Sequence, residues 1–231
     1  TDYALVAQAG ALRLIQRATQ LVIAEAPLDV NDPGVAVATL LPTLRHVAAW
    51  QRSLALANPG TAMDTAKVEF ELFCPQIDGG VATVDTAREL FIEVPGGRPL
   101  EQLPYAELKV TNRSNQLLHA VLAYYSPDFG VQVLKNEPIG NDGIPVSLWG
   151  GDDTGFTLEP GQDSSIENFK LIISTEQIDG FLLEMAPLKT VGVRSWGTLA
   201  KTYRNEWFTR NCRIRVVRRM ATTGAADVAV A

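Results

Sequence analysis

Two apolar runs separated by a four-residue polar turn dominate the middle of this chain. Residues 105–129 read YAELKVTNRSNQLLHAVLAYYSPDF. In the first run Ala106, Leu108 and Val110 alternate with Glu107, Lys109 and Thr111, the two-residue period of a strand with one wet face. The turn is Asn112-Arg113-Ser114-Asn115, rich in side chains that bond their own backbone. The second run, Leu117–Tyr125, is apolar at nearly every position. A strand of that kind is covered on both faces or lies at the centre of a sheet. The rest of the chain must supply the sheet and its cover.

The flanking sequence supplies strands. Tyr3–Ala9 and Ala11–Arg17 read as a hairpin turning at Gly10, which Leu21–Ala24 could continue. Val68, Phe70 and Leu72 alternate with Lys67, Glu69 and Glu71, and Pro75 closes that strand. Further strands are predicted over Glu89–Val94, Gly130–Leu134, Val146–Trp149, Glu167–Thr175 and Trp207–Val217. Between Asn136 and Gly143 the Asn, Pro and Gly residues argue against a ladder. One segment has helical spacing. Leu40, Leu44, Val47, Trp50 and Leu54 fall on one face, with Pro42 in the first turn and Asn58-Pro59-Gly60 as the stop, so a helix is predicted over about residues 43–57. Strands without βαβ alternation, beside one helix, favour an antiparallel β-sandwich with the helix laid against it. The expected organisation is a single β-sandwich domain over residues 1–219, with an N-terminal hairpin and helix and a flexible tail at 220–231.

A chain of 231 residues is long enough for an ample core. No stretch approaches the ~18 apolar residues of a membrane helix, and no signal-peptide pattern opens it, so a cytoplasmic location is expected. Thr1, in place of an initiating Met, reads as a boundary or processing site within a longer protein. The net charge of −6 is unevenly spread. Between Arg194 and Arg219 eight cations face one acid, Glu206, a local +7 that leaves −13 for the remainder. Such asymmetry is a property of partner surfaces rather than of folds. Arg194, Arg204, Arg210, Arg213 and Arg215 are the candidate contact residues.

The chemistry of catalysis is sparse. Cys74 and Cys212 lie far apart without a metal or redox spacing and read as buried thiols. His46 flanks the helix stripe and His119 lies mid-strand, with no Gly-x-Ser-x-Gly elbow to complete a triad. Asp152-Asp153 beside two glycines reads as a solvated turn, and no phosphate-cradling loop is present. No cofactor or metal is expected. Trp196, Tyr203, Trp207 and Phe208 interleave the basic stretch as in nucleic-acid binders, but the overall acidity and the strand-like alternation of the arginines oppose that reading. Asn112-Arg113-Ser114 also matches a glycosylation sequon, for which a turn is sufficient explanation.

RHVAAWQRSLALANPGTAM at Arg45–Met63 is followed by VEFELF at Val68–Phe73. This succession resembles a helix motif and the strand after it in the region downstream of the protease domain in bacterial caspase-like proteins (peptidase family C14). LKVTNRSNQLLHAVLAYYSPDFGVQVL, then FKLIISTEQIDGFLLEMAPL with its FKLIISTE…D segment at Phe169–Asp179, then EWFTRNCRIRVVRR at Glu206–Arg219, continue the likeness over nearly all of residues 1–219. The family's catalytic His-Gly and Cys motifs are not in this chain, so no catalytic residue carries over. The resemblance implies a non-catalytic C-terminal interaction or regulatory domain of a cysteine endopeptidase. Its partner would be the caspase-like protease domain in the same protein or complex, and another protein partner is compatible with it. The alternative, from the residues alone, is a free-standing ligand- or protein-binding β-sandwich unrelated to proteolysis.

Overall fold

The structure is a computed structural model. It describes residues 3–17, 20–73, 81–83, 89–95, 107–150, 156, 158, 162–188 and 206–219. Cys74, Asp152-Asp153, Arg194, Arg204 and residues 220–231, expected to form a flexible tail, lie outside the described residues. Among the described residues the chain is mainly strand with one long helix, a mostly β fold of the class expected. The chain divides into two compact units.

The first unit comprises residues 1–56, 128–130 and 185–194. Strands β1 (Tyr3–Gln8), β2 (Ala11–Gln16) and β3 (Leu21–Pro27) form an antiparallel sheet in the order β1-β2-β3. The β1–β2 turn is the expected one, with both Ala9 and Gly10 at positive φ (49° and 74°). Helix α1 runs from Pro33 to Leu54, ten residues earlier than the sequence spacing suggests. Pro33 occupies the first turn, where its missing N–H costs nothing, and Pro42 is tolerated inside the helix instead of starting it. Leu40, Val47 and Trp50 of the predicted stripe are buried, and Ala36 and Leu40 pack with Ala26, Leu12, Ala24, Leu28 and Leu44.

The second unit holds the sandwich. Its four-stranded sheet runs β10 (Val146–Trp149), β7 (Glu107–Asn112), β4 (Val68–Phe73), β5 (Val81–Thr83). Its five-stranded sheet runs β6 (Glu89–Pro95), β12 (Trp207–Arg219), β11 (Ser164–Ser174), β8 (Leu118–Tyr125), β9 (Val131–Ile139). The core between them takes alternate residues of β4, β7, β8, β11 and β12. Val68, Phe70 and Leu72 face Leu108, Val110 and Leu148 within the first sheet. Leu118, Ala120, Leu122, Phe169, Leu171, Ile173, Phe208, Cys212, Ile214 and Val216 come from the second. As its composition requires, β8 is interior to its sheet and buried on both faces; Val121, Ala123 and Tyr125 on the far face are as inaccessible as Leu122. Part of that far face is closed by a one-turn helix at Gly180–Leu183. Gly180 approaches so closely that a Cβ there would lie 3.2 Å from Val121 and Val133.

Three local features depart from the sequence reading. The polar turn joins β7 to β8, but these strands do not pair; they belong to opposite sheets. The turn is a corner, and Asn112, fully buried, holds it. Its Nδ2 donates to the carbonyls of Gln116 (2.9 Å) and Ile139 (3.3 Å), and its Oδ1 accepts from the N–H (2.9 Å) and hydroxyl (2.6 Å) of Ser114. That burial also explains the Asn112-Arg113-Ser114 pattern without glycosylation. Strand β9 continues through Asn136 and Pro138 to Ile139, past the expected break at Leu134. An edge strand tolerates a proline, because one side of it needs no ladder bonds. Finally, β6 runs parallel to β12 (Arg213↔Glu89 to Arg219↔Pro95), so the five-stranded sheet is mixed rather than wholly antiparallel.

Candidate functional site

Strands β11 and β12 carry the residues of interest, because they are the longest pair and their register is unbroken from Ser164↔Val217 to Ser174↔Trp207. Side chains of paired residues share a face. Arg213 lies opposite Asn168 and Arg215 opposite Ile166, on the face away from the sandwich core. Lys170, wholly buried, lies on the same face opposite Asn211 and Ala123, and burial pushes its ammonium down to about 8. Arg210 has the other parity. It points to the core side, where its guanidinium sits 4.9 Å above the Phe208 ring. The five candidate arginines are therefore not one surface: Arg213 and Arg215 come together, Arg210 does not join them, and Arg194 and Arg204 lie outside the described residues.

The thiol and imidazoles take structural positions. Cys212 is buried in the core, and the apolar surroundings push its thiol up to about 12. A thiol so protonated is a packing group, not a nucleophile. His46 Nε2 lies 2.8 Å from the carbonyl of Phe129, which can only accept, so Nε2 carries the proton. Trp50 Nε1 donates to the neighbouring Gly130 carbonyl (3.1 Å), and the Trp50 and Phe129 rings meet edge-on at 5.5 Å. His46 and Trp50 thus hold the Phe129-Gly130 backbone. His119 pairs with Ser174, whose hydroxyl accepts the Glu176 N–H (3.1 Å) in the turn after β11. Among the described residues no group of three or more His, Cys, Asp or Glu side chains converges to hold a metal, and no helix is long and apolar enough to cross a membrane.

A second polar cluster was not anticipated from the sequence. On the core face of β11 the succession Ile173, Leu171, Phe169 is apolar, but the next two positions are Glu167 and Ser165. Glu167 is only 9% exposed. Its Oε1 accepts from the Ser165 hydroxyl and its Oε2 from the Tyr124 hydroxyl, both in short hydrogen bonds. None of the ion pairs formed among the described residues includes it. From Tyr124 a run of aromatic rings meets at tilted or edge-on angles, Tyr124 with Phe169 (5.3 Å), Phe169 with Trp149 (4.9 Å) and Trp149 with Phe156 (5.8 Å). Phe156 and Phe169 are buried, whereas Tyr124 and Trp149 keep part of their surface in water. The available signal was parity: Glu167 and Ser165 stand at strand positions where the alternation demands apolar residues.

No protein-family model matches the chain, and no curated protein matches it.

Proposed function

We propose that this chain is a non-catalytic interaction module, the C-terminal accessory β-sandwich of a bacterial caspase-like cysteine endopeptidase. It would pack on the protease domain to regulate its activity or to position substrate, in the cytoplasm. The observation that carries the reading is where the resembling motifs fall. The Arg45–Met63 motif spans the second half of α1 and its stop, with Trp50 buried in it; Val68–Phe73 is β4 entire. The Phe169–Asp179 segment covers the second half of β11 and the turn after it, and the Glu206–Arg219 motif covers β12, the strand paired with β11 in the larger sheet. Motifs that fall on regular elements and the turns beside them are what a shared architecture would leave in a sequence. The core position of the Cys212 thiol supports a role without nucleophilic chemistry.

The test has two arms. The reading frame before Thr1 is expected to encode a His-Gly motif and, roughly 50 residues later, the nucleophilic Cys. The protease domain so encoded should co-purify with the 231-residue chain, and a charge reversal at Arg213 and Arg215 should weaken that association. Cysteine-dependent peptidase turnover by the chain alone, or an upstream frame without the two motifs, would refute the proposal.

A further inference from the structure

We propose that Glu167, Tyr124 and Trp149 form a recognition subsite for a guanidinium group, the side chain of an arginine in a peptide segment of a partner protein. The inference does not depend on the connection to a protease; it stands on the burial and the hydrogen bonding of Glu167 at the sandwich's polar end. A carboxylate that is 9% exposed and lies at the margin of an apolar core carries a large desolvation cost unless a cation accompanies it. Glu167 has instead two neutral donors, the hydroxyls of Ser165 and Tyr124. A carboxylate has about four lone-pair positions, so each oxygen keeps one for a further donor.

Among the described residues the nearby arginines are engaged elsewhere. Arg218, on the same face of β12, donates through Nε (3.2 Å) and Nη2 (3.0 Å) to the carbonyl of Gln162. Arg210 rests on Phe208. The run of rings that starts at Tyr124 and reaches Trp149 through Phe169 supplies the rest of the chemistry. Tyr124 is fixed by its own bond to the carboxylate and by Phe169, Trp149 is fixed between Phe169 and Phe156, and both keep accessible surface. A planar guanidinium can stack on such a surface while directing two N–H groups at the free lone pairs of one carboxylate. An ammonium would satisfy the charge but not the stacking. The acidity of the whole chain, with a pI near 5.0, favours the approach of a basic segment.

The experiment uses the full chain, with the Trp149 indole N–H followed by NMR while acetyl-Gly-Arg-Gly-amide, its lysine analogue and its uncharged citrulline analogue are titrated. A Trp149→Phe variant assigns the indole signal. The arginine peptide should shift that signal saturably, the lysine peptide less, and the citrulline peptide not at all. Glu167→Gln should weaken the arginine peptide by about ten- to a hundredfold, the loss of a charge-assisted hydrogen bond. Tyr124→Phe, which leaves the carboxylate in place, should weaken it less, and thermal melts of both variants verify that they remain folded. Should Glu167→Gln prove unfolded, the arginine-over-citrulline difference in the wild-type chain decides alone. No shift of the Trp149 signal, an equal shift with citrulline, or a folded Glu167→Gln variant that binds as well as wild type overturns the site. An equal response to lysine overturns the guanidinium assignment.

Discussion

Replacing Asn112 tests whether one side chain fixes the corner between the two sheets. Its four hydrogen bonds tie three places together: Ser114 in the turn, Gln116 just before β8, and the end of β9 through Ile139. In Asn112→Ala all four are lost. Gln116 is exposed and Ser114 half-buried, so water can replace some of those bonds, whereas Ile139 is buried. At about 1 kcal/mol per net hydrogen bond, with an added cost for a buried group left unpaired, the expected loss is about 2–4 kcal/mol. Asn112→Asp separates hydrogen bonding from volume. It keeps the acceptor for Ser114 but turns an oxygen toward two carbonyls in a site with no exposure, so at neutral pH it should cost at least as much as alanine. Lowering the pH should restore part of the loss, because a protonated aspartic acid can donate where the amide did. Urea unfolding followed by far-UV ellipticity measures all three proteins. An alanine variant within about 0.5 kcal/mol of wild type, well below the cost of one buried unpaired group, would refute the corner argument, as would an aspartate variant of wild-type stability at neutral pH.

Three further outcomes follow from the buried groups and the backbone. Burial lowers Lys170 from 10.5 to about 8, so between those values the unfolded chain holds a proton that the folded chain has released, and stability should rise with pH across that window. The full span corresponds to about 3 kcal/mol, and Lys170→Met should flatten the rise in urea melts taken from pH 8 to 9. Above 9.0 the Cys212 thiol opposes it: the unfolded chain ionises first, while the folded one keeps its proton to about 12, so stability there is lost as pH rises. In native protein Cys212 should resist a thiol-specific disulfide reagent until the chain is unfolded, as read by mass spectrometry of the Cys212 peptide; rapid labelling would contradict its core position. Gly150→Ala should destabilise by about 1–3 kcal/mol in thermal melts. Gly150 has φ +152°, and a Cβ there would lie 2.6 Å from Glu107 Cγ and 3.1 Å from its Cα.

Strands with strict alternation were legible from residue order. β4, β7, β11 and β12 begin and end within a few residues of the positions their side chains imply, and the apolar uniformity of β8 announced its cover on both faces. The same alternation placed Cys212, Ile214 and Val216 inside and Arg213 and Arg215 outside. It also contained the split of Arg210 from that pair and the anomaly of Glu167, but reading arginines as a charge cluster hides their parity. The start of α1 was misread because Pro42 and Pro33 are equally acceptable helix openings, and only the packing of Ala36 and Leu40 against Leu12, Ala24 and Ala26 selects the earlier one. The extent of β9 was misread because Asn136 and Pro138 break a central strand but not an edge.

Local periodicity therefore determined which segments are strands and which side of each is apolar, since these depend on neighbours two to four residues away. Which strands meet was decided only in three dimensions. That β7 and β8 part at Asn112, that β6 lies parallel to β12, and that Tyr124, Trp149 and Glu167 share one end of the sandwich all depend on pairings between distant segments. Those pairings follow from how the whole chain can bury its apolar faces at once, and no single stretch encodes that condition.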